Sequence, residues 1–314
     1  MHTLRVDNVR VFHVEELLSD FAVSRLQESL PYAAQWLDTA PARLMAACKR
    51  SGVVPVEPLL GGNRSVSVWG YGPDGNSLVV KLAAFPGATS REAASLDTLA
   101  PSGRVPMVVS ADSQREVLIT EYLSGALALT LCLEDHDELE LVASLLSDLA
   151  LTPSSGVPSD VSLGWRLGQA WDAGSNWRAA PRVELAEAAE RIMSLPSEPG
   201  VVLHGDLVPS NLMLMPDGRL FAVDPQSVVG SLSSSAASWA LSRGKGDKQG
   251  WRAGGGAVRR ALSLSLLMGI DQDAVLSHLV FQALELACRQ SAWGEWEWVS
   301  ESLELASTAN AALS

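Results

Sequence analysis

The chain has 314 residues, of which 47% are hydrophobic and 19% are charged, so we expect a folded globular protein rather than a disordered one. Its 36 acidic and 23 basic residues give a formal net charge of −13. This balance argues against general DNA or RNA binding, because such binding needs basic surface that neutralises phosphates. The acidity suits a cationic small-molecule substrate, and it fits an ordinary solvated surface at least as well.

Three isolated cysteines, Cys48, Cys132 and Cys288, lie in apolar stretches, without a CxxC motif or a Cys/His cluster. We therefore expect buried thiols in a reducing compartment, and neither a disulfide framework nor a zinc site. The first residues lack a basic segment followed by an apolar run, and no run of 18 apolar residues occurs anywhere. We expect a cytoplasmic protein that does not bind a membrane.

The first part of the chain predicts a helical start and then a sheet. Residues 24–50 have helical spacing, which Pro31 and Pro41 are expected to divide into short helices. Residues 90–99 predict another helix, with Ser90 as its N-terminal cap. Strands are predicted for five runs, at 53–60, 65–71, 77–84, 105–110 and 116–121.

Beyond Gly125 the pattern becomes helical, at 139–150, 184–194 and over most of 257–314. Runs of strands followed by runs of helices indicate an α+β fold with a β-rich N-terminal lobe and a mostly helical C-terminal lobe. We divide the chain into a helical N-terminal extension (1–50), an N-lobe with a β-sheet and one helix (51–123) and a helical C-lobe (124–314).

The strongest chemical signal is a polar loop that begins at His204-Gly205-Asp206 and reaches Asn211. An apolar strand precedes this loop, and a hairpin follows it and ends at Asp224. We expect Asp206, Asn211 and Asp224 to lie close together. Two carboxylates and an amide are hard oxygen ligands, which suit Mg²⁺ carrying nucleotide phosphates.

An Asp followed five residues later by an Asn is the spacing of a phosphoryl-transfer loop. In this interpretation Asp206 accepts or orients the proton of the attacking hydroxyl, while Asn211 and Asp224 hold the metal. The alternative is that Asp206 is a turn residue and Asn211 a cap. Turns alone do not readily produce the whole pattern of loop, hairpin and second Asp. We expect His204 to fix the backbone rather than to act as the base.

The segments HGDLVPSN (204–211) and AVDPQSVVG (222–230) resemble the aminoglycoside phosphotransferase superfamily, whose members share a protein-kinase-like fold. The DPQSVVG stretch is most similar to the streptomycin/hydroxyurea phosphotransferase branch, which also carries a helical N-terminal extension. The resemblance implies a bilobal α+β kinase-like fold. It also implies transfer of a γ-phosphate from ATP, or from GTP, with Mg²⁺, to a hydroxyl of a small and cationic molecule. An aminoglycoside such as streptomycin is the leading candidate, with resistance or self-protection as the effect.

The same resemblance gives the N-lobe its nucleotide-binding roles. Gly61, Gly62 and Ser65 belong to a turn that can bring backbone N–H groups and a hydroxyl against nucleotide phosphates. Read without the resemblance, this turn fits a hairpin without a ligand equally well.

Lys81 lies in an otherwise apolar strand, and Glu92 lies on the next predicted helix. They match the lysine that contacts the α- and β-phosphates and the glutamate that orients it. The alternative is that both side chains face solvent. The backbone around Glu121 and Leu123 is where the family binds adenine, so these residues are assigned by position rather than by side chain.

The molecule that accepts the phosphoryl group is the part of the function that the sequence determines least. After Gly230 the relatives carry an aspartate, whereas this chain has serines, and we expect Ser231, Ser233 or Ser234 to satisfy the same backbone groups. An acidic and aromatic wall in the C-lobe could receive a cation, although its members also fit a helical core and its solvated face. The wall consists of Trp293, Glu295, Trp296, Glu297 and Trp298, and two further acids of the C-lobe that could meet cationic groups are Asp172 and Glu285.

Two other functions remain open at this point. One is a metabolic or biosynthetic kinase for another hydroxylated small molecule, and the other is a nucleotide-binding relative without catalytic activity. The missing aspartate is the only support for the second, and Lys81, Glu92, Asp206, Asn211 and Asp224 argue against it. The sequence leaves the oligomeric state undetermined.

Overall fold

The structure is a computed structural model, and it describes residues 12–60, 64–127, 135–151, 181–196, 198–242, 255–292 and 296–313. The chain divides into two compact units. Unit 1 takes in the chain up to Ala100 together with Val105–Ser124, and unit 2 takes in Pro101–Arg104 and the chain from Gly125 onward. An antiparallel sheet dominates unit 1 and helices dominate unit 2, which confirms the predicted α+β class.

Unit 1 opens with three helices, α1 (Val14–Leu17), α2 (Asp20–Ser29) and α3 (Ala33–Ser51). Pro41 was expected to end a helix, and this was wrong, since it lies inside α3. A proline within a helix costs about 3 kcal/mol. The buried face of α3 continues on both sides of it, with Trp36 and Leu44 among its members. Burying side chains of this size contributes roughly 1.5–3 kcal/mol each, which offsets the proline.

Five strands form one antiparallel sheet in unit 1, in the order β1-β2-β3-β5-β4. They are β1 (Val54–Leu59), β2 (Ser65–Tyr71), β3 (Ser77–Ala83), β4 (Val108–Asp112) and β5 (Val117–Glu121). Because side chains alternate along a strand, the sheet has two different faces. One face, with Val68 and Val80, joins helices α1–α3 in a common core. The other face carries Lys81, which lies opposite Ser67.

Helix α4 (Ala88–Leu99) follows β3 and begins before the predicted cap. Ser90 therefore lies in the first turn, and the prediction that it caps the helix was wrong. Gly87 occupies the cap position, and the carboxylate of Glu116 accepts hydrogen bonds from the N–H groups of Gly87 (2.5 Å) and Thr89 (3.0 Å). Local sequence signals cannot reveal a cap that comes from the turn between β4 and β5.

Unit 2 contains two small antiparallel sheets and six helices among its described residues. The strands are β6 (Ala126–Leu127), β7 (Val201–Leu203), β8 (Leu212–Leu214), β9 (Leu220–Ala222) and β10 (Val228–Gly230). The helices are α5 (Asp135–Leu149), α6 (Arg182–Ser194), α7 (Leu232–Leu241), α8 (Gly256–Met268), α9 (Gln272–Ala292) and α10 (Trp296–Ala311). One sheet has the order β6-β8-β9 and the other pairs β7 with β10.

A buried arginine fixes the β8–β9 hairpin to α5. The guanidinium of Arg104 donates hydrogen bonds to the carboxylate of Asp148 (2.8 Å), the hydroxyl of Ser144 (3.1 Å) and the carbonyl of Leu220 (3.1 Å). The carbonyl of Arg104 in turn accepts from the N–H of Ala222 (2.8 Å). Both ends of β9 are held in this way, and β9 leads directly to Asp224.

Cys48 and Cys288 are buried, and burial raises the pKa of the Cys48 thiol to about 11. Cys132 lies outside the described residues. Across the described ranges, no helix is both long enough and apolar enough to span a membrane.

Candidate active site

Strand β7 leads into residues 204–211, which we call the HGD loop. Because β7 pairs with β10, the start of this loop lies beside the segment that enters β10, and the N–H of Gln226 donates to the carbonyl of His204 (2.8 Å). Gly205 has φ +81°, and a Cβ there would lie 2.0 Å from the carbonyl oxygen of Gln226. Both the backbone conformation and the lack of space require glycine at this position.

The HGD loop ends in a 3₁₀ turn, Pro209–Asn211, that brings Asn211 back to Asp206. The Asn211 amide nitrogen lies 2.9 Å from the Asp206 carbonyl oxygen and 3.3 Å from Oδ2 of the Asp206 carboxylate. The amide of Gln226 donates to the same Oδ2, at 3.4 Å. Two side-chain amides therefore hold the orientation of the Asp206 carboxylate. The spacing in the sequence predicts that Asp206 and Asn211 are close, whereas no sequence signal points to Gln226.

Asp224 follows β9 with φ +59°, a left-handed conformation that residues other than glycine seldom adopt. Among the described residues, Glu116 (φ +55°) is the only other non-glycine residue with a positive φ. The N–H of Val223 donates to the Asn211 carbonyl (2.9 Å), so the residue before Asp224 is tied to the end of the HGD loop. Such a conformation costs on the order of 1–3 kcal/mol, and residues held in it cluster at functional sites.

His204 is buried and connects the two segments that carry the acidic residues. Its Nε2 lies 3.0 Å from the carbonyl of Val223, and its Nδ1 lies 3.4 Å from the backbone nitrogen of Asp206. A neutral imidazole with its proton on Nε2 satisfies both contacts, donating to the carbonyl and accepting from the N–H. Burial lowers the pKa of His204 to about 4, against the opposing effect of the nearby Asp224 charge. A neutral histidine that holds backbone is the role expected for it.

The depressed pKa of His204 makes the stability of the protein sensitive to acid. The pKa is 6.5 for an ordinary histidine and about 4 in the folded chain, so between these values the unfolded chain binds a proton that the folded chain does not. The stabilisation is complete above pH 6.5 and declines as the pH falls towards 4. The total loss from this group is about 3 kcal/mol.

Urea unfolding measured from pH 8 to pH 4 tests this expectation, with His204→Asn as the comparison. The variant lacks the titrating group, so its free energy of unfolding should fall less than that of the wild type over this range. Parallel profiles for the two proteins would show that His204 does not titrate as described.

Lys81 and Glu92 form an ion pair within unit 1. The Lys81 Nζ lies 2.9 Å from Oε1 and 2.8 Å from Oε2 of Glu92, and the two side chains are only 14% and 16% exposed. The alternative in which both face solvent does not fit this geometry. Ser65 is buried on β2, two residues before Ser67, so it lies on the same face of the sheet as Lys81.

The other N-lobe candidates are only partly covered. Gly61 and Gly62 lie outside the described residues. Glu121 ends β5, and its N–H donates to the Met107 carbonyl (3.0 Å), while Leu123 is buried.

An aromatic stack that the sequence analysis missed lies beside these residues. The rings of Trp69 and Tyr122 are stacked with their centroids 5.0 Å apart. Trp69 lies on the same face of the sheet as Lys81, two residues beyond Ser67. The alternation along β2 predicts this face, but nothing in the local sequence indicates the contact with Tyr122.

The start of α7, where the relatives carry an aspartate, is contacted by a carboxylate from another segment, that of Glu198. Glu198 accepts hydrogen bonds from the hydroxyl (2.5 Å) and the N–H (3.4 Å) of Ser233. Ser231 caps α7 by accepting from the N–H of Ser234 (3.0 Å). These serines serve the end of their own helix, and Glu198 supplies the negative charge that suits a helix N-terminus.

The acidic and aromatic candidates for cation binding in the C-lobe have little described structure. Glu285 is buried and paired with Arg289 (2.7 Å), so its charge is already balanced. Trp296 is half exposed and Trp298 is half-buried. The remaining candidates lie outside the described residues, namely Asp172, Trp293, Glu295 and the side chain of Glu297.

Residues 55–226 match the phosphotransferase enzyme family, APH. This match covers more than half of the chain and includes both the Lys81–Glu92 pair and the HGD loop. The chain belongs to the APH family. It is a small-molecule phosphotransferase, which confirms the predicted superfamily and the predicted class of ATP-dependent small-molecule kinase. The streptomycin/hydroxyurea branch stays a prediction. No curated protein sequence matches the chain significantly.

Solved structures of small-molecule kinases share the fold. The choline kinase LicA from Streptococcus pneumoniae is 16% identical, with a TM-score of 0.59 over 85% of this chain and 97% of that chain. A putative fructosamine-3-kinase from Thermobifida fusca YX-ER1 is 18% identical, with a TM-score of 0.60 over 86% and 98%. An aminoglycoside 2'-phosphotransferase in complex with GDP is 18% identical, with a TM-score of 0.57 over 86% and 96%. Because the sequence identities are this low, the likeness to these structures establishes the kinase-like fold alone.

Proposed function

We propose that this APH-family enzyme transfers the γ-phosphate of ATP to a hydroxyl of a small cationic molecule, with an aminoglycoside-type antibiotic as the first candidate. The observation that carries the proposal is the Asp206 carboxylate of the HGD loop, whose orientation is held by the side-chain amides of Asn211 and Gln226. An oriented carboxylate beside an Asn is the arrangement that positions an acceptor hydroxyl in phosphoryl transfer. Such transfer depends on positioning and on electrostatic stabilisation.

In this proposal Asp206 is the catalytic residue, which orients the acceptor hydroxyl and accepts its proton. Lys81 contacts the α- and β-phosphates, and Glu92 holds the Lys81 ammonium in place. Gly61 and Gly62, together with Ser65 at the start of β2, cover the phosphates. The backbone of Glu121 and Leu123 binds the adenine.

The residues proposed to hold Mg²⁺ are Asn211 and Asp224, and their chemistry fits this ion. The amide nitrogen of Asn211 already donates to Asp206, which leaves the amide oxygen as the atom suited to a cation. Asp224 adds a carboxylate, and Mg²⁺ that is bound together with nucleotide phosphates needs only one or two carboxylate ligands from the protein. When bound, the ion would neutralise charge on the phosphates. The unusual backbone conformation of Asp224 supports a functional rather than a purely structural role.

The choice of acceptor rests on charge and on the resemblance of residues 224–230. Aminoglycosides carry amines that are protonated at neutral pH, and a chain with a net charge of −13 suits such a substrate. The name of the aminoglycoside 2'-phosphotransferase that shares the fold gives this class of molecule as its acceptor. Because that structure holds GDP, GTP remains a second candidate donor.

A second candidate function is a metabolic or biosynthetic small-molecule kinase. The likeness to the choline kinase LicA, at a TM-score of 0.59, favours it as much as the aminoglycoside 2'-phosphotransferase favours the first. Choline is also a small cation with a hydroxyl, so both candidates share one acceptor chemistry.

The test is phosphoryl transfer from Mg·ATP and Mg·GTP to streptomycin, other aminoglycosides, choline and an amino sugar, with the product identified by mass. We expect a product heavier by about 80 mass units, the mass of one phosphoryl group, with at least one aminoglycoside. A product only with choline or the amino sugar would establish the second candidate. No product with any acceptor, in a protein that still binds nucleotide, would contradict both.

A further inference from the structure

The N-terminus of α4 is held by a carboxylate from a distant turn. Glu116, between β4 and β5, accepts from the N–H of Gly87 through Oε1 (2.5 Å) and from the N–H of Thr89 through Oε2 (3.0 Å). Each helix begins with N–H groups that have no partner within the helix, and a carboxylate at this end also interacts favourably with the helix dipole. Glu116 thus caps α4 from outside the helix.

Helix α4 has no cap of its own. Gly87, at the cap position, has φ +75° and no side chain, and the first turn of α4 contains no acidic residue. Glu116 therefore fulfils a role that a neighbouring Ser, Asp or Asn fills in most helices.

The backbone of Glu116 is strained and is used for a second contact. Its φ is +55°, which is uncommon for a residue with a Cβ. In this conformation its carbonyl accepts from the N–H of Ala83 (2.9 Å), at the end of β3. Ala83 lies two residues after Lys81, and Thr89 lies three residues before Glu92. One residue therefore holds both the strand that carries Lys81 and the helix that carries Glu92.

We propose that Glu116 is a positioning residue for nucleotide binding, which acts by setting the Lys81–Glu92 ion pair. The pair has distances of 2.8 and 2.9 Å and is mostly buried, so a shift of α4 along or away from the sheet would separate it. This inference rests on the proposed role of Lys81 at the nucleotide phosphates.

The variant that tests the inference is Glu116→Gly. Glycine accepts the positive φ without strain, so the substitution removes the carboxylate and leaves the backbone conformation accessible. The matched control is Asp112→Asn, at the start of the same turn, where the carboxylate pairs with Arg115 at the surface and makes no hydrogen bond to α4 in the described residues. Glu116→Gln serves as the conservative variant, since its amide oxygen can accept one of the two hydrogen bonds.

The affinity for Mg·ATP, measured by titration calorimetry, is the main measurement. We expect about tenfold weaker binding for Glu116→Gly, an intermediate loss for Glu116→Gln and no change for Asp112→Asn. A double-mutant cycle with Glu92→Gln separates positioning from a merely structural role. If Glu116 acts through Glu92, then Glu116→Gly should cost little further affinity once Glu92 has been replaced.

Two results would overturn the inference. One is unchanged ATP affinity in Glu116→Gly, even if its thermal stability falls, and the other is a double-mutant cycle whose losses simply add. Lys81→Met distinguishes these results from a failure of the proposed function. If that variant binds ATP as well as the wild type does, the role of Lys81 is wrong. If Lys81→Met weakens binding and Glu116→Gly does not, only the present inference fails.

Discussion

Asp206→Asn is expected to lower kcat by a factor on the order of 10³ or more, with the affinity for Mg·ATP close to that of the wild type. Asparagine has nearly the shape of aspartate, and its amide oxygen can still accept from the amides of Asn211 and Gln226. What it lacks is the negative charge that takes the proton of the acceptor hydroxyl. Steady-state kinetics with the acceptor found above, together with calorimetry for ATP, measure both quantities.

The matched control is Asp217→Asn, in the turn between β8 and β9 of the same unit. Asp217 is exposed, and its hydrogen bonds to Arg219 hold the pKa of that carboxyl below its usual value. An exposed pair of this kind contributes little to stability, so both kcat and ATP affinity should stay at wild-type values. If the two variants had equal kcat, Asp206 would not be the catalytic residue.

Local patterns predict the sheet of unit 1 well. The observed β2 has the predicted bounds, 65–71, and β3 differs from its prediction by one residue. Alternating apolar residues mark both strands, and the Pro73-Asp74-Gly75-Asn76 turn between them is a strong breaker. These signals lie within a few residues of the structure that they specify.

The errors in unit 1 have non-local causes. The start of α4 was misplaced because its cap, Glu116, lies 27 residues from Thr89 in the chain. Pro41 was expected to break a helix, and only the packing of α3 on the sheet shows why it does not. Helix propensity gives the free-energy cost of a proline within a helix, whereas burial in the tertiary structure determines whether that cost is offset.

In the candidate site, too, contacts within a short segment could be predicted from the sequence, whereas contacts between distant segments could not. The contact between Asp206 and Asn211 could be predicted, because five residues and one turn separate them. The contact of Gln226 with Asp206 depends on the pairing of β7 with β10, which no short motif encodes. The left-handed conformation of Asp224 is likewise set by its surroundings, since a residue with a Cβ adopts it only at a cost.

Gly205→Ala is expected to destabilise unit 2 by about 2–5 kcal/mol, the sum of an unfavourable φ and a steric clash. It should also abolish transfer in the molecules that still fold. The new Cβ would lie 2.0 Å from the Gln226 carbonyl oxygen and 2.8 Å from its carbon. That backbone cannot simply withdraw, because the Gln226 N–H is bonded to the His204 carbonyl (2.8 Å), next to the β7–β10 pairing. Any movement that relieves the clash would also displace the Gln226 amide from Asp206.

Gly218→Ala separates the two causes of this loss. Gly218 has the same φ of +81°, but a Cβ there would meet nothing within 4 Å, so this variant carries only the conformational cost, about 1–2 kcal/mol. The difference in unfolding free energy between the two variants, measured in urea, is therefore the cost of the clash. Equal losses would mean that the Gln226 backbone yields freely. In that case the β7–β10 pairing would not hold the HGD loop, and the orientation of Asp206 would need another cause.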